Sequence, residues 1–312
     1  MNFSIDTYTA SDGERIFYYK WKSASKKPKG IVQIAHGIGE HARRYKPIAE
    51  LLQKQGYEVY ANDHRIHGRS TESIDLLGIY DGDNFFDAAV EDMRELSKII
   101  KKEHPSEKII LFGHSMGSFL SRDYVTKYGE DIKVLILSGT ASFIKGLGFL
   151  GLTSANMIKL IKGKKNPNKI LKSIFFTNFN KTFKPNRTLV DWISRDKEQV
   201  DIYCSDPYRI EDFSTSVYID LIKGNKKVNE TNAFKATPKN LPIYMFSGDK
   251  DPVGEMGKGV QKVANQYVKS GISDLTLKLY RNGRHEMLSE INKTEVEQDL
   301  LNWLNERIEA KN

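Results

Sequence analysis

Hydrophobic and polar positions change rhythm twice along this chain of 312 residues. Ile5 to Thr9 and Arg15 to Trp21 alternate with a two-residue period, and Asp12-Gly13 between them is a strong turn signal. The chain is therefore expected to open with an antiparallel hairpin, followed by a solvated, Lys- and Ser-rich connection from Lys22 to Gly30. From Ile31 onward, short continuous apolar runs alternate with helical spacing. Strands are expected over Ile31 to Ala35, Glu58 to Ala61, Lys108 to Phe112, Val134 to Leu137, Ile243 to Phe246 and Leu275 to Tyr280. Helices are expected over about Arg43 to Gln55, Phe85 to Glu103, Lys258 to Lys269 and Glu295 to Ile308. Another follows Gly117, where Phe119, Leu120, Tyr124 and Val125 share a face. Such alternation predicts an α/β fold with a mostly parallel sheet covered by helices on both faces.

Between Ala141 and about Lys239 the alternation stops, for a span too long to be a structureless loop inside a compact domain. Residues 1–140 and 240–312 are therefore read as the α/β core, and 141–239 as an inserted, mainly helical cap. A content of 39% hydrophobic and 28% charged residues excludes a disordered chain. No apolar stretch approaches the roughly 18 residues of a membrane span. The stretch Met1 to Asp6 lacks the basic and apolar regions of a secretory signal. The single cysteine, Cys204, can form no internal disulfide, and no histidine motif is tied to it as a catalytic thiol requires. Together these features point to the cytoplasm. The net charge of +8 is local: residues 141–190 hold ten basic and no acidic residues, while the remainder holds 38 basic and 40 acidic ones.

The chemistry concentrates in loops that follow the expected strands. Gly113-His114-Ser115-Met116-Gly117 fits G-x-S-x-G between a strand and a helix, a context that exposes a serine hydroxyl on a sharp turn. A serine needs a base within hydrogen-bond reach and a third group to orient that base. Downstream, Ser247-Gly248-Asp249-Lys250-Asp251-Pro252 and Arg281-Asn282-Gly283-Arg284-His285 supply an acid and a histidine, in the order Ser, acid, His. Either Asp249 or Asp251 can be the acid; the other is a turn residue. The bland alternatives are a helix N-cap for Ser115 and a surface position for His285. The segments His36-Gly37-Ile38-Gly39-Glu40-His41 and Asp63-His64-Arg65-Ile66-His67-Gly68 contain metal-ligand types at close spacing. The first is also a Gly-rich turn after a strand, suited to an oxyanion hole with the Ile38 and Met116 N–H groups as donors.

With these motifs in place, the chain resembles the monoglyceride lipase and lysophospholipase family of serine α/β-hydrolases, above all its bacterial members. His36-Gly37-Ile38-Gly39-Glu40-His41-Ala42-Arg43-Arg44-Tyr45 matches the family's H-G-x-G-E-H-x-x-R-Y, and Gly113 to Gly117 matches its G-H-S-M-G. Gly248 to Val253 is similar to the family's acid loop, and Arg284-His285-Glu286-Met287-Leu288 to its histidine loop. The resemblance implies the α/β-hydrolase fold and a triad of Ser115, Asp251 and His285. It also implies that Glu40, Arg44 and His114 organise the polar end of the pocket, supporting the oxyanion turn or contacting glycerol. Tyr203-Cys204-Ser205-Asp206-Pro207 resembles the family's Y-x-S-D-P, which brings Tyr203 to that polar end. Two positions depart from the pattern. Ile66 stands where the family has glycine, so the loop there is expected to differ if that backbone needs positive φ. Ser118 replaces a glycine after the elbow.

The function these readings imply is a serine ester hydrolase that cleaves a monoacylglycerol or lysophospholipid through an acyl-enzyme, with no metal or organic cofactor. A short-chain carboxylesterase, a peptidase or an acyltransferase uses the same machinery, and a hydrolase-like small-molecule receptor is the non-enzymatic alternative. In the cap, apolar residues such as Phe149, Leu150, Met157 and Ile161 are interleaved with lysines. That composition suits peripheral contact with an anionic membrane. Nucleic acid is not an expected partner, because the basic segment carries no recognisable binding module.

Overall fold

The computed structural model describes residues 2–167, 169–173 and 179–309. Its centre is a sheet of eight strands in the order β1-β2-β4-β3-β5-β6-β7-β8. β1 (Asn2–Thr9) and β2 (Arg15–Lys22) form the expected antiparallel hairpin, and β2 pairs antiparallel with β4 (Glu58–Asn62). β3 (Ile31–Ala35), β4, β5 (Ile109–His114), β6 (Ile132–Ser138), β7 (Ile243–Gly248) and β8 (Leu275–Tyr280) run parallel. β3 to β7 are buried along nearly their whole length, which is why they read as continuous apolar runs rather than alternations.

Helices cover both faces. On one, Phe85, Phe86, Val90, Met93 and Leu96 of α2 (Phe85–Glu103) pack with Leu120 and Tyr124 of α3 (Met116–Tyr128) and with α9 (Lys258–Lys269). On the other, Ile48 and Leu52 of α1 (Lys46–Lys54) pack with Leu300, Trp303 and Leu304 of α10 (Lys293–Glu309). The predicted first helix begins as a 3-10 turn, Ala42–Tyr45, and becomes α-helical only at Lys46, where Pro47 in the first turn suits a helix start.

Between β6 and β7 lie α4 (Lys145–Lys162), the short α5 (Lys169–Lys172), α6 (Lys197–Ser205), α7 (Thr215–Val228) and α8 (Thr231–Ala236). Residues 168 and 174–178 of this stretch, read from the sequence as part of a helical unit, lie outside the described residues. Its basic charge is less isolated than the sequence implied. Lys164 pairs with Asp83 at 3.2 Å, Lys165 with Asp81, Lys172 with Glu211 and Asp212 at 3.5 Å, and Arg187 with Asp201.

The loop containing Ile66 does not swing away to spare its β-branched side chain. Ile66 takes φ +64°, its carbonyl accepts from Gly78 N at 3.0 Å, and the side chain is 7% exposed in the apolar core. A β-branched residue in this left-handed region is strained; the burial of the side chain offsets the cost.

Candidate active site

β5 ends at His114, and the chain turns through Ser115 directly into α3. Ser115 adopts φ +51° and ψ −119°, a strained conformation held by Ser115 N donating to Ser138 O at 2.9 Å. The turn is possible because Gly113 and Gly117, two residues to either side of Ser115, lack a side chain. A Cβ on Gly117 would lie 2.0 Å from the Ala35 carbonyl oxygen, and one on Gly113 would lie 2.3 Å from that of Gly117. Ser118, the departure after the elbow, is buried and its hydroxyl donates to Ser115 O at 2.6 Å, so it braces the turn.

Asp251 and His285, on the loops after β7 and β8, come together. His285 Nδ1 lies 2.9 Å from Asp251 Oδ2, and the side chains are 3% and 0% exposed. Ser247 Oγ donates to the same oxygen at 2.8 Å, and Val253 N donates to Oδ1 at 2.9 Å. A carboxylate with these donors keeps the imidazole proton on Nδ1 and leaves Nε2 as the accepting nitrogen. Burial pulls the His285 pKa down, but the charge and hydrogen bond of Asp251 prevail and the net shift is upward. Asp249 is the turn residue of the pair: its Oδ1 accepts from Asn282 N at 2.8 Å.

Ser115 and His285 line one cavity of about 1110 Å³, together with Ile38, Met116, Glu40, His114 and Tyr203. Apolar groups dominate the remaining wall, Phe119, Phe143, Ile144, Phe179, Leu189 and Leu221 among them. Beside Ser115, Glu40 Oε1 accepts from Gly37 N at 2.6 Å and from Tyr45 OH at 2.8 Å, which fixes the turn that carries Ile38. Arg44 lines a neighbouring cavity rather than this one. Its guanidinium is spent on Glu40, on both oxygens of Glu286 at 3.1 and 2.8 Å, and on the face of Tyr203 at 4.6 Å. His114 rests against the His285 ring, centroids 4.8 Å apart, and donates to or accepts from Ser138 Oγ at 3.1 Å; burial pushes its pKa down to about 4.

His36 and His67 organise backbone. His36 Nε2 accepts from His64 N at 2.9 Å while Nδ1 meets Gly37 O at 2.7 Å. His67 Nε2 accepts from Gly39 N at 3.3 Å while Nδ1 meets Arg65 O at 3.0 Å. Burial depresses the pKa values of His36, His64 and His67, the last two to about 3 and 4, so these rings are neutral, and those of His36 and His67 tie the turn that carries Ile38 to the loop after β4. Among the described residues, side chains of metal-ligand type cluster at Glu58, Glu103 and His104, and Lys20 bridges both of those carboxylates.

Sequence reasoning missed a strap that crosses the histidine loop. The Trp192 ring lies 5.1 Å from that of His285, and the Trp192 and Ile193 carbonyls accept from His285 N and Glu286 N at 3.4 and 2.7 Å. Arg195 anchors the strap to Glu290, which is fully buried, at 2.9 Å. Glu286 stood next to the candidate histidine in sequence and could have been found there. Nothing local marks Trp192.

A model of the serine aminopeptidase S33 family matches residues 26–292. The chain belongs to this family. A monoacylglycerol lipase of Mycolicibacterium smegmatis is 29% identical over 304 residues, covering 96% of both chains. A monoglyceride lipase of Mus musculus is 28% identical over 309 residues, covering 96% of this chain and 90% of its own. A thermostable carboxyl esterase from Bacillus coagulans, solved in complex with glycerol, superimposes with a TM-score of 0.91 at 27% identity over 99% of both chains. The resemblance and the α/β-hydrolase fold read from the motifs therefore hold.

Proposed function

We propose that this S33 protein is a serine ester hydrolase that cleaves single-chain lipid esters, monoacylglycerol or lysophospholipid, through an acyl-enzyme. Ser115 attacks the ester carbonyl while His285 Nε2 takes its proton. The oxyanion is held by the Ile38 and Met116 amides, and removing one donor of this kind typically costs about 10² to 10³ in turnover. His285 then protonates the leaving alcohol and activates the water that releases the fatty acid, with Asp251 holding the ring in the productive tautomer. The observation that carries the reading is a buried acid–imidazole pair opening, beside an elbow serine, on one large, mainly apolar cavity. Its relatives, lipases by name, agree.

The family name raises the question of a peptide substrate. An aminopeptidase needs an unpaired anion for the substrate's ammonium group. Of the carboxylates lining the cavity, Glu40 and Glu286 share Arg44, and Glu211 faces Lys172 and Arg209, so each is already engaged by a cation. A neutral ester is the better fit. The decisive experiment is turnover of a p-nitrophenyl ester and of a monoacylglycerol by the wild type and by Ser115→Ala: loss of both activities is expected, and equal rates overturn the reading.

The same site is supplied with substrate from a lipid surface. Phe149, Leu150, Met157, Leu160 and Ile161 of α4 are 69%, 68%, 59%, 87% and 79% exposed and fall within about 120° of the helix circumference at 100° per residue. Gly151 and Ala155, on another side, are buried, and Gly148 and Gly151 line the cavity. An apolar stripe at a pocket mouth suits an interfacial helix. Flotation with phosphatidylglycerol vesicles, weakened by Leu160→Glu with Ile161→Glu, tests this; equal flotation of wild type and variant refutes it. No helix among the described residues is long and apolar enough to cross a membrane.

A further inference from the structure

Arg122 is 1% exposed, yet no carboxylate pairs with it among the described residues. Burying a guanidinium without a counter-charge is costly, and the cost falls only when its donors find acceptors. Here those acceptors belong to two distant parts of the chain. Nη1 donates to Ala141 O at 3.1 Å and Thr140 Oγ1 at 3.4 Å, just after β6. Nη2 donates to Val228 O at 2.7 Å, the end of α7, and to Asn229 Oδ1 at 3.0 Å. Asn229 closes the figure, its Nδ2 reaching Ala141 O at 3.3 Å. The rings of Phe234 and Tyr267 flank the guanidinium at 5.3 and 5.9 Å.

Both tethered points are roots of cavity walls. Residues 141–144 line the cavity immediately beyond the first, and Leu221, Ile222 and Asn225 of α7 line it before the second. Arg122 itself sits on α3, the helix that begins at the elbow serine. One side chain thus connects the helix behind Ser115 to two walls of the cavity. A small outward drift of either wall leaves a short ester's carbonyl where it was and loosens only the grip on a chain reaching between the walls.

We propose that Arg122 is a positioning residue that sets the acyl-chain selectivity of the site, by fixing both walls of the cavity relative to Ser115. The inference rests on the reading of that cavity as the acyl site. Rows of carbonyl acceptors are matched by a guanidinium fork and not by an ammonium point charge, so lysine is not an equivalent.

The test compares kcat/KM for p-nitrophenyl laurate and p-nitrophenyl butyrate in the wild type, Arg122→Met and Arg122→Lys, with melting curves on the same samples. The laurate-to-butyrate ratio is expected to fall about tenfold in Arg122→Met, because small displacements of bound groups are amplified in rate, and less in Arg122→Lys. A purely structural role lowers both esters together and leaves the ratio unchanged in folded protein, which overturns the proposal. Should Arg122→Met fail to fold, Asn229→Ala decides by the same ratio: a fall supports the proposal and an unchanged ratio overturns it. A wild type that hydrolyses neither ester refutes the underlying functional reading instead, so the two failures are distinguishable.

Discussion

Replacing Asp251 with asparagine changes one atom type in a site with no exposure, and the consequence can be followed bond by bond. Oδ1 receives Val253 N, whereas Oδ2 receives both Ser247 Oγ and His285 Nδ1. If the amide nitrogen faced Val253, two buried donors would oppose each other, at a cost of about 1 to 3 kcal/mol. The introduced amide therefore keeps its oxygen on Val253 and presents its NH₂ to Ser247 and His285. The serine hydroxyl can rotate to accept. The imidazole can accept only by moving its proton from Nδ1 to Nε2, the nitrogen that must take the proton of Ser115. The variant rests in the wrong tautomer, and the expected loss is on the order of 10⁴ in kcat. At 1.36 kcal/mol per factor of ten, that is about 5.4 kcal/mol of lost transition-state stabilisation. Saturation kinetics on a p-nitrophenyl ester measure it, with Asp249→Asn as the partner experiment. Asp249 holds only Asn282 N, so its substitution is expected to cost less than about threefold. A kcat in Asp251→Asn within tenfold of the wild type, or a larger loss in Asp249→Asn, refutes the reasoning.

Four further outcomes are expected. The upward shift of His285 puts the acid limb of kcat/KM above the ordinary histidine value of 6.5, activity rising as the ring loses its proton; a midpoint below 6.5 contradicts the role of Asp251. The same raised pKa stabilises the fold fully below pH 6.5 and loses that contribution as pH climbs through the folded-state value, which pH-dependent melting detects as a decline on the alkaline side. Gly117→Ala drives a methyl group against the Ala35 carbonyl and is expected to destabilise by about 2 to 3 kcal/mol in urea unfolding, with loss of turnover. At Ile66, Ile66→Ala forfeits buried side chain and keeps φ +64°, costing about 2 to 5 kcal/mol. Ile66→Gly forfeits the same packing and relieves roughly 1 to 2 kcal/mol of left-handed strain, against about 0.5 to 1 kcal/mol of glycine entropy. The glycine variant should therefore melt above the alanine variant, and the reverse order shows that the turn is unstrained.

What the chain reveals by itself is whatever is encoded over a few neighbouring residues. Phe85–Glu103, Lys258–Lys269 and Leu275–Tyr280 were legible to the residue, because a helix or a buried strand writes its period or its apolar run locally. The elbow was legible for the same reason: the two glycines of Gly113 to Gly117 lie beside the serine whose turn they permit. Between Asp249 and Asp251 local pattern was silent, and a family resemblance had to choose, since both are turn-forming carboxylates two residues apart. Only folding decided which one meets an imidazole 34 residues away. The histidines at 36 and 67 show the same limit, because metal ligand and backbone brace use the same neutral side chain, and only the folded chain brings a backbone group to each of their ring nitrogens. Trp192 over His285, Arg195 on Glu290 and Arg122 between two cavity walls left no trace in the sequence. Their partners lie 95 or more residues away in the case of Arg195 and near both ends of the segment between β6 and β7 in the case of Arg122. Local order sets which elements exist; the closing of long loops, which no short window of residues can report, sets which side chains meet.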